Sequence, residues 1–172
     1  MELRCLRSDE AKGNDLKHFA SRCAPRQSTT QDDPFMKYVI DLDPTHQVLR
    51  VTVTGTVTDQ ASREAYASLS HFAATGGPYA LILDLSGVTS NQLSIEALRD
   101  LAQKPPAVPL GRLHVVAAPR PEDYGVVRMF ELLRDGMGGQ FHSFLSVDEA
   151  YAMLGVCPEN FSQRLFPEQL AA

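Results

Sequence analysis

The sequence is short of several things, and each shortage excludes a class of function. No apolar run approaches the roughly 18–20 residues that span a bilayer, and the N-terminus lacks the apolar core of a secretory signal, so the expected compartment is the cytoplasm, with no membrane span. Positive charge is not in excess: Lys and Arg number 16 against 21 Asp and Glu, for a net charge of −5. A nucleic-acid binder needs a basic face to displace counterions from phosphates, so neither DNA nor RNA is an expected partner. Cysteine is sparse and odd in number: Cys5, Cys23 and Cys157 are scattered, which indicates neither a disulfide framework nor a zinc cluster. The histidines (His18, His46, His71, His114 and His142) show no metal-ligand spacing, and no Gly-x-Ser-x-Gly elbow accompanies the serines. Gly136, Gly138 and Gly139 fall after an expected helix and before a strand, the wrong side for a phosphate cradle. The expectation is a protein without metal or cofactor that is not an enzyme.

What remains is an ordinary globular composition, 44% apolar and 22% charged, in 172 residues, the size of one domain. Residues 1–35 show no sustained periodicity and include a polar stretch at 27–34, so they read as a disordered extension, and Met36 is a candidate translation start. From Tyr38 the chain becomes regular. Residues 38–42 and 47–54 are β-rich around turn-forming Asp43, Pro44 and Thr45, which predicts an antiparallel hairpin closed at Gly55. Thr58 or Asp59 caps a helix with Ala61, Ala65, Leu69, Phe72 and Ala73 inward and Arg63, Glu64 and Ser70 outward, ending at Gly76 and Gly77. Residues 79–84 are almost wholly apolar, as in a strand covered on both faces.

A second helix is expected from Ser90 or Asn91 to the stop at Pro105 and Pro106, with Leu93, Ala97, Leu98, Leu101 and Ala102 inward. A strand at 113–117 leads to a helix opened by Pro121, Glu122 and Asp123, with Val126, Val127, Phe130 and Leu133 inward. The last strand is 140–145. Ser146 and Glu149 form a capping box for a final helix that ends at Gly155. The predicted fold is α/β, a mostly parallel mixed sheet with an N-terminal hairpin, in the order β-β-α-β-α-β-α-β-α. The domain is expected over 36–157, with 158–172 as a C-terminal tail.

The run Leu81-Ile-Leu-Asp-Leu-Ser-Gly-Val-Thr89 leading into a helix, with Val115-Val-Ala117 and the ending Val147 to Gly155 in that order, resembles the STAS family. Its members include bacterial anti-sigma factor antagonists and the cytoplasmic domains of sulfate transporters. The segment Tyr124 to Phe130 is similar to an antagonist-like group associated with lipid-binding folds. The resemblance implies a regulatory module that docks a protein partner through the face around Ser86 to Ser94. Antagonists of that family are switched by phosphorylation of a serine in an Asp-Ser-Ser-Gly turn at the start of the second helix. Here Gln92-Leu93-Ser94-Ile95 stands in its place, so the aspartate, the first serine and the glycine are absent and only Ser94 matches. Ser94 is the candidate phosphorylation or interaction site, followed by Ser90, Thr89 and Ser86. An ordinary serine in a first helical turn would look the same.

Two other places suggest chemistry. Asp84 ends a central strand, where open α/β sheets bind ligands, but no acidic pair and no later lysine complete a phospho-acceptor site, and its plain role is to cap the turn Leu85-Ser86-Gly87. Arg120, Tyr124 and Arg128 can line the rim of a crevice at the carboxyl ends of the strands, suiting a small apolar or anionic ligand. The alternative to protein docking is therefore a small-ligand or lipid carrier with an apolar pocket beneath the second and third helices. A cavity of several hundred cubic ångströms there favours the carrier, and a filled core with a flat helical face favours docking. A homodimer is the third expectation, paired through the hairpin or the 140–145 strand.

Overall fold

A computed structural model describes residues 35–76, 79–108, 111–134, 140–161 and 163–165. All of the expected extension at 1–35 but Phe35, the glycines at 136, 138 and 139 and most of the expected tail lie outside them.

Strands β1 (Lys37–Asp43) and β2 (Val48–Val57) form the hairpin, paired from Lys37 with Thr54 to Asp43 with Val48. Buried Asp43 holds the turn, accepting from the backbone N–H groups of Thr45 and His46 and bonding His46 Nδ1 at 2.6 Å. Helix α1 (Asp59–Gly76) begins where Thr58 Oγ1 accepts from the Ala61 N–H. Strand β3 (Ala80–Asn91) lies parallel to β2. Helix α2 (Ile95–Gln103), strand β4 (Leu113–Ala117), helix α3 (Pro121–Leu133), strand β5 (Gln140–Phe144) and helix α4 (Val147–Leu154) follow in the predicted order. The sheet order is β5-β4-β3-β2-β1 with one more strand, β6 (Gln163–Leu165), antiparallel to β1 over Ile40–Leu42.

Side chains alternate between the two faces of the sheet, as a pleat requires. On one face Val51, Val53 and Leu81 join Leu69 and Ala73 of α1, and Val116 meets Val127 of α3. On the other, Val48, Ile82, Val115 and Ala117 pack against Ala150 and Tyr151 of α4 and against Phe161.

Six expectations are corrected. Gly55 does not close β2, and β3 does not stop at Asp84: both strands run on through paired irregularities, with register shifts between Thr52 and Thr54 and between Gly55 and Thr56. Gly55 takes φ 82°, and a Cβ on Gly87 would lie 2.6 Å from Thr54 Cγ2 and 2.9 Å from the Val53 carbonyl. Glycines that look like turn residues are here the means by which two strands cross a bulge in close approach. The second helix starts four residues later than Asn91, because residues 86–91 are consumed by β3. Leu133 is exposed rather than inward, and the Ser70 hydroxyl is shielded from solvent without a hydrogen-bond partner. Finally, β5 is not the last strand: the sheet continues past residue 157 through β6, where the backbone of β1 offers an open edge.

Of the Ser146 capping box, one half forms, the Ser146 hydroxyl accepting from the Glu149 N–H at 3.4 Å. Gly155 ends α4 at φ 66°, as the sequence predicted.

Candidate functional site: an apolar cavity under three helices

Between the sheet and helices α1, α2 and α3 lies a cavity of about 240 Å³. Its floor is the period-2 face of the central strands, Val51 and Val53 of β2, Leu81, Leu83 and Leu85 of β3, and Val116 of β4. Its roof is the apolar stripe of each helix: Ala65 and Leu69 of α1, Leu98 and Leu101 of α2, and Val126, Val127 and Phe130 of α3. The same periodicities that build the core thus build the cavity, and small Ala65 stands where a larger side chain would enter it.

The titratable side chains of the lining collect at one end, where the parallel strands begin, while neutral Ser62 and Asn91 also line the cavity. Arg134 follows α3, His114 is the second residue of β4, and Tyr66 of α1 completes the group, all three lining the cavity. Arg134 Nη1 donates to the carbonyls of Ala102 (3.4 Å) and Lys104 (3.1 Å), the unsatisfied acceptors at the end of α2, while its guanidinium lies 5.6 Å from the Phe130 ring centre. Lys104 Nζ sits 4.9 Å over the Tyr66 ring, whose hydroxyl donates to the Pro105 carbonyl. Burial, then the neighbouring Arg134 cation, pushes His114 down to about 4 against a hydrogen bond to the Val108 backbone, so the ring is neutral at pH 7. Burial also lowers Arg134, and no carboxylate pairs with it among the described residues.

The expected rim is differently employed. Arg120 Nη1 donates to the Val88 carbonyl at 2.9 Å, its Nε lies 3.6 Å from buried Asp123, and it pairs with Glu122, so it ties the start of α3 to β3. Arg128 pairs with Glu131 on the exposed side of the helix. Tyr124 packs beside Val116, Ala118 and Val127. None of the three lines the cavity, whose basic end lies at the amino ends of β4 and β5 rather than the carboxyl ends. Sequence reasoning missed Arg134; the signal was the α3 stripe Val126, Val127 and Phe130, which one further turn brings to a cation.

Ser94 is the N-cap of α2 and is held twice by Asp59: its N–H donates to Oδ1 and its hydroxyl to Oδ2, both at 2.7 Å. The same hydroxyl accepts from the Ala97 N–H at 3.1 Å. A phosphate on this oxygen would lose the cap and face the Asp59 carboxylate. Ser86, Thr89 and Ser90 all lie within β3 rather than in a loop. Asp84 accepts from the Ser86 N–H at 2.9 Å, the local backbone role the sequence suggested.

Among the described residues there is no cluster of His, Cys, Asp and Glu fit to hold a metal, and no helix is long and apolar enough to cross a membrane. No family model matches the chain, and no curated protein matches it. Among solved structures the chain is similar to the crystal structure of an anti-sigma factor antagonist from Mycobacterium paratuberculosis, at 19% sequence identity and a TM-score of 0.47, with 72% of this chain and 97% of that one covered.

Proposed function

We propose that this domain is a non-catalytic binding protein that holds one small, largely apolar molecule in the cavity beneath α1, α2 and α3. The observation that carries the reading is the cavity's size together with its apolar walls. A void of about 150 Å³ lined by aliphatic and aromatic side chains stays dry and admits a benzene-sized guest. This one is larger, about 240 Å³, just below the range of roughly 300–1,000 Å³ usual for small-molecule sites. The aliphatic walls offer water few partners, so an apolar guest fills this space better than water does.

Intact-mass spectrometry of the protein purified from its own cells, under native and then denaturing conditions, tests the reading. A mass excess that vanishes on denaturation is the expected outcome. Bare protein in both states, together with no saturable uptake of 1-octanol, overturns it.

A second reading, regulatory docking of a protein partner, is favoured by exposed apolar side chains on the helical face: Ile95, 56% exposed, on α2, and Met129 and Leu132, the latter 67% exposed, on α3. Such side chains mark contact surfaces when they cluster. If they do so here, cross-linking in the native cells captures a partner with the wild type that Ile95→Asp and Leu132→Asp variants lose; capture unchanged by either substitution removes this reading. Under it, constitutive docking fits the capped Ser94 better than a phosphorylation switch does.

A further inference from the structure

Arg134 is an unusual wall for an apolar cavity. The chain carries more acids than bases, yet no acidic side chain among the described residues approaches this guanidinium, although it is partly buried. Only Nη1 is engaged, by the two carbonyls at the end of α2. The donors on Nε and Nη2 have no partner among the described residues, and a guanidinium presents its donors in a fixed planar fork that matches a carboxylate. The neighbours add to the same sign. Lys104, over Tyr66, is a second cation at this end, and His114 contributes no negative charge in either protonation state. Burial of an arginine without a carboxylate is unfavourable and its pKa is lowered accordingly; an anion arriving with its own apolar body reverses that.

We infer that the cavity takes a single-tailed amphiphilic anion, its apolar tail between the sheet and the three helices and its carboxylate on the free edge of the Arg134 guanidinium. The inference rests on the ligand-binding reading above and adds the class of ligand and the anchor. The cavity's volume suits one short chain and excludes a two-chain lipid. Away from Arg134 the lining, Leu85 and Val57 with neutral Ser62 and Asn91, supplies no positive charge, so an anionic head group has one favourable place.

The probes are octanoate and 1-octanol, which share a chain and differ in head-group charge, titrated by calorimetry into the full-length wild type and the Arg134→Gln, Arg134→Lys and Ala65→Phe variants. The wild type is expected to bind octanoate ~10- to 100-fold more tightly than octanol, the range of a charge-assisted pair over a neutral one. Arg134→Gln removes that preference by lowering octanoate affinity ~10- to 100-fold while octanol uptake persists, Arg134→Lys keeps part of it, and Ala65→Phe abolishes uptake of both by filling the space. Equal affinity of the wild type for the two probes overturns the anion inference while leaving the cavity reading in place, and needs no variant to fold. Binding of neither probe by the wild type, or octanol binding indifferent to Ala65→Phe, overturns the cavity reading and this inference with it. A loss of both affinities in a folded Arg134→Gln shows the arginine shaping the cavity rather than meeting the anion, and overturns the anchor.

Discussion

The Ser94 hydroxyl is committed in both directions, donating to Asp59 and accepting from the first turn of α2, so its removal is expected to cost about 1 kcal/mol in urea unfolding, the usual value of an N-cap. Asp59 lies below the ordinary carboxylate range because the Ser94 backbone N–H, then its hydroxyl, bind the charged form; Asp59→Asn is therefore expected to destabilise at pH 7, and by less near pH 3. His114 acts with the opposite chemistry and the same sign. Its folded pKa of about 4 lies below the ordinary 6.5, so the unfolded chain binds more protons between those values and stability falls as pH is lowered through that window, levelling off below it. In His114→Leu that part of the pH dependence disappears, measured by thermal melts across pH 4–7; an unchanged profile would contradict a neutral, half-buried ring.

At the scale of elements, the strongest lock is on the α4 side of the sheet. Arg50 of β2 donates from Nε and Nη2 to buried Asp41, at 3.2 and 2.8 Å, and from Nη1 to the Tyr151 hydroxyl at 3.1 Å, while its guanidinium covers Phe161 at 4.6 Å. Hairpin, α4 and the approach to β6 thus share one cation. Arg50→Ala is expected to destabilise by about 2–3 kcal/mol, since it removes the charge-assisted bonds to buried Asp41, the Tyr151 bond and the cover over Phe161 together; a chemical-denaturation shift under ~1 kcal/mol would show the cluster to be ornamental. The same scale shows what the sequence made legible. Each of the four α-helices and most of its apolar stripe could be read, Leu133 and the start of α2 excepted, because stripes follow a 3.6-residue period, and so could Thr58, Pro121 and Gly155 at the helix ends. Gly55 and Gly87 misled because a glycine read alone signals a turn, whereas these two serve a long-range approach between strands that no local pattern encodes. Arg134 escaped for a related reason: its importance lies in what fails to surround it.

For the molecule as a whole, a cavity opposes stability, so filling it should raise one property as it removes another. Ala65→Leu is expected to lift the melting temperature of ligand-free protein by roughly 2–4 °C while weakening uptake of octanoate; a lower melting point would mean that α1 already packs without slack. The arrangement of the sheet bears on assembly in a different way. With β6 laid on β1 and helices over both faces, the two borders of the sheet are unlike: one is the three-residue strand β6, the other the five-residue strand β5. β6 thus leaves a border only three residues long, a poor template for pairing, so shortening the chain before residue 163 is expected to expose the seven-residue strand β1 as the new border and to raise self-association, read by light scattering.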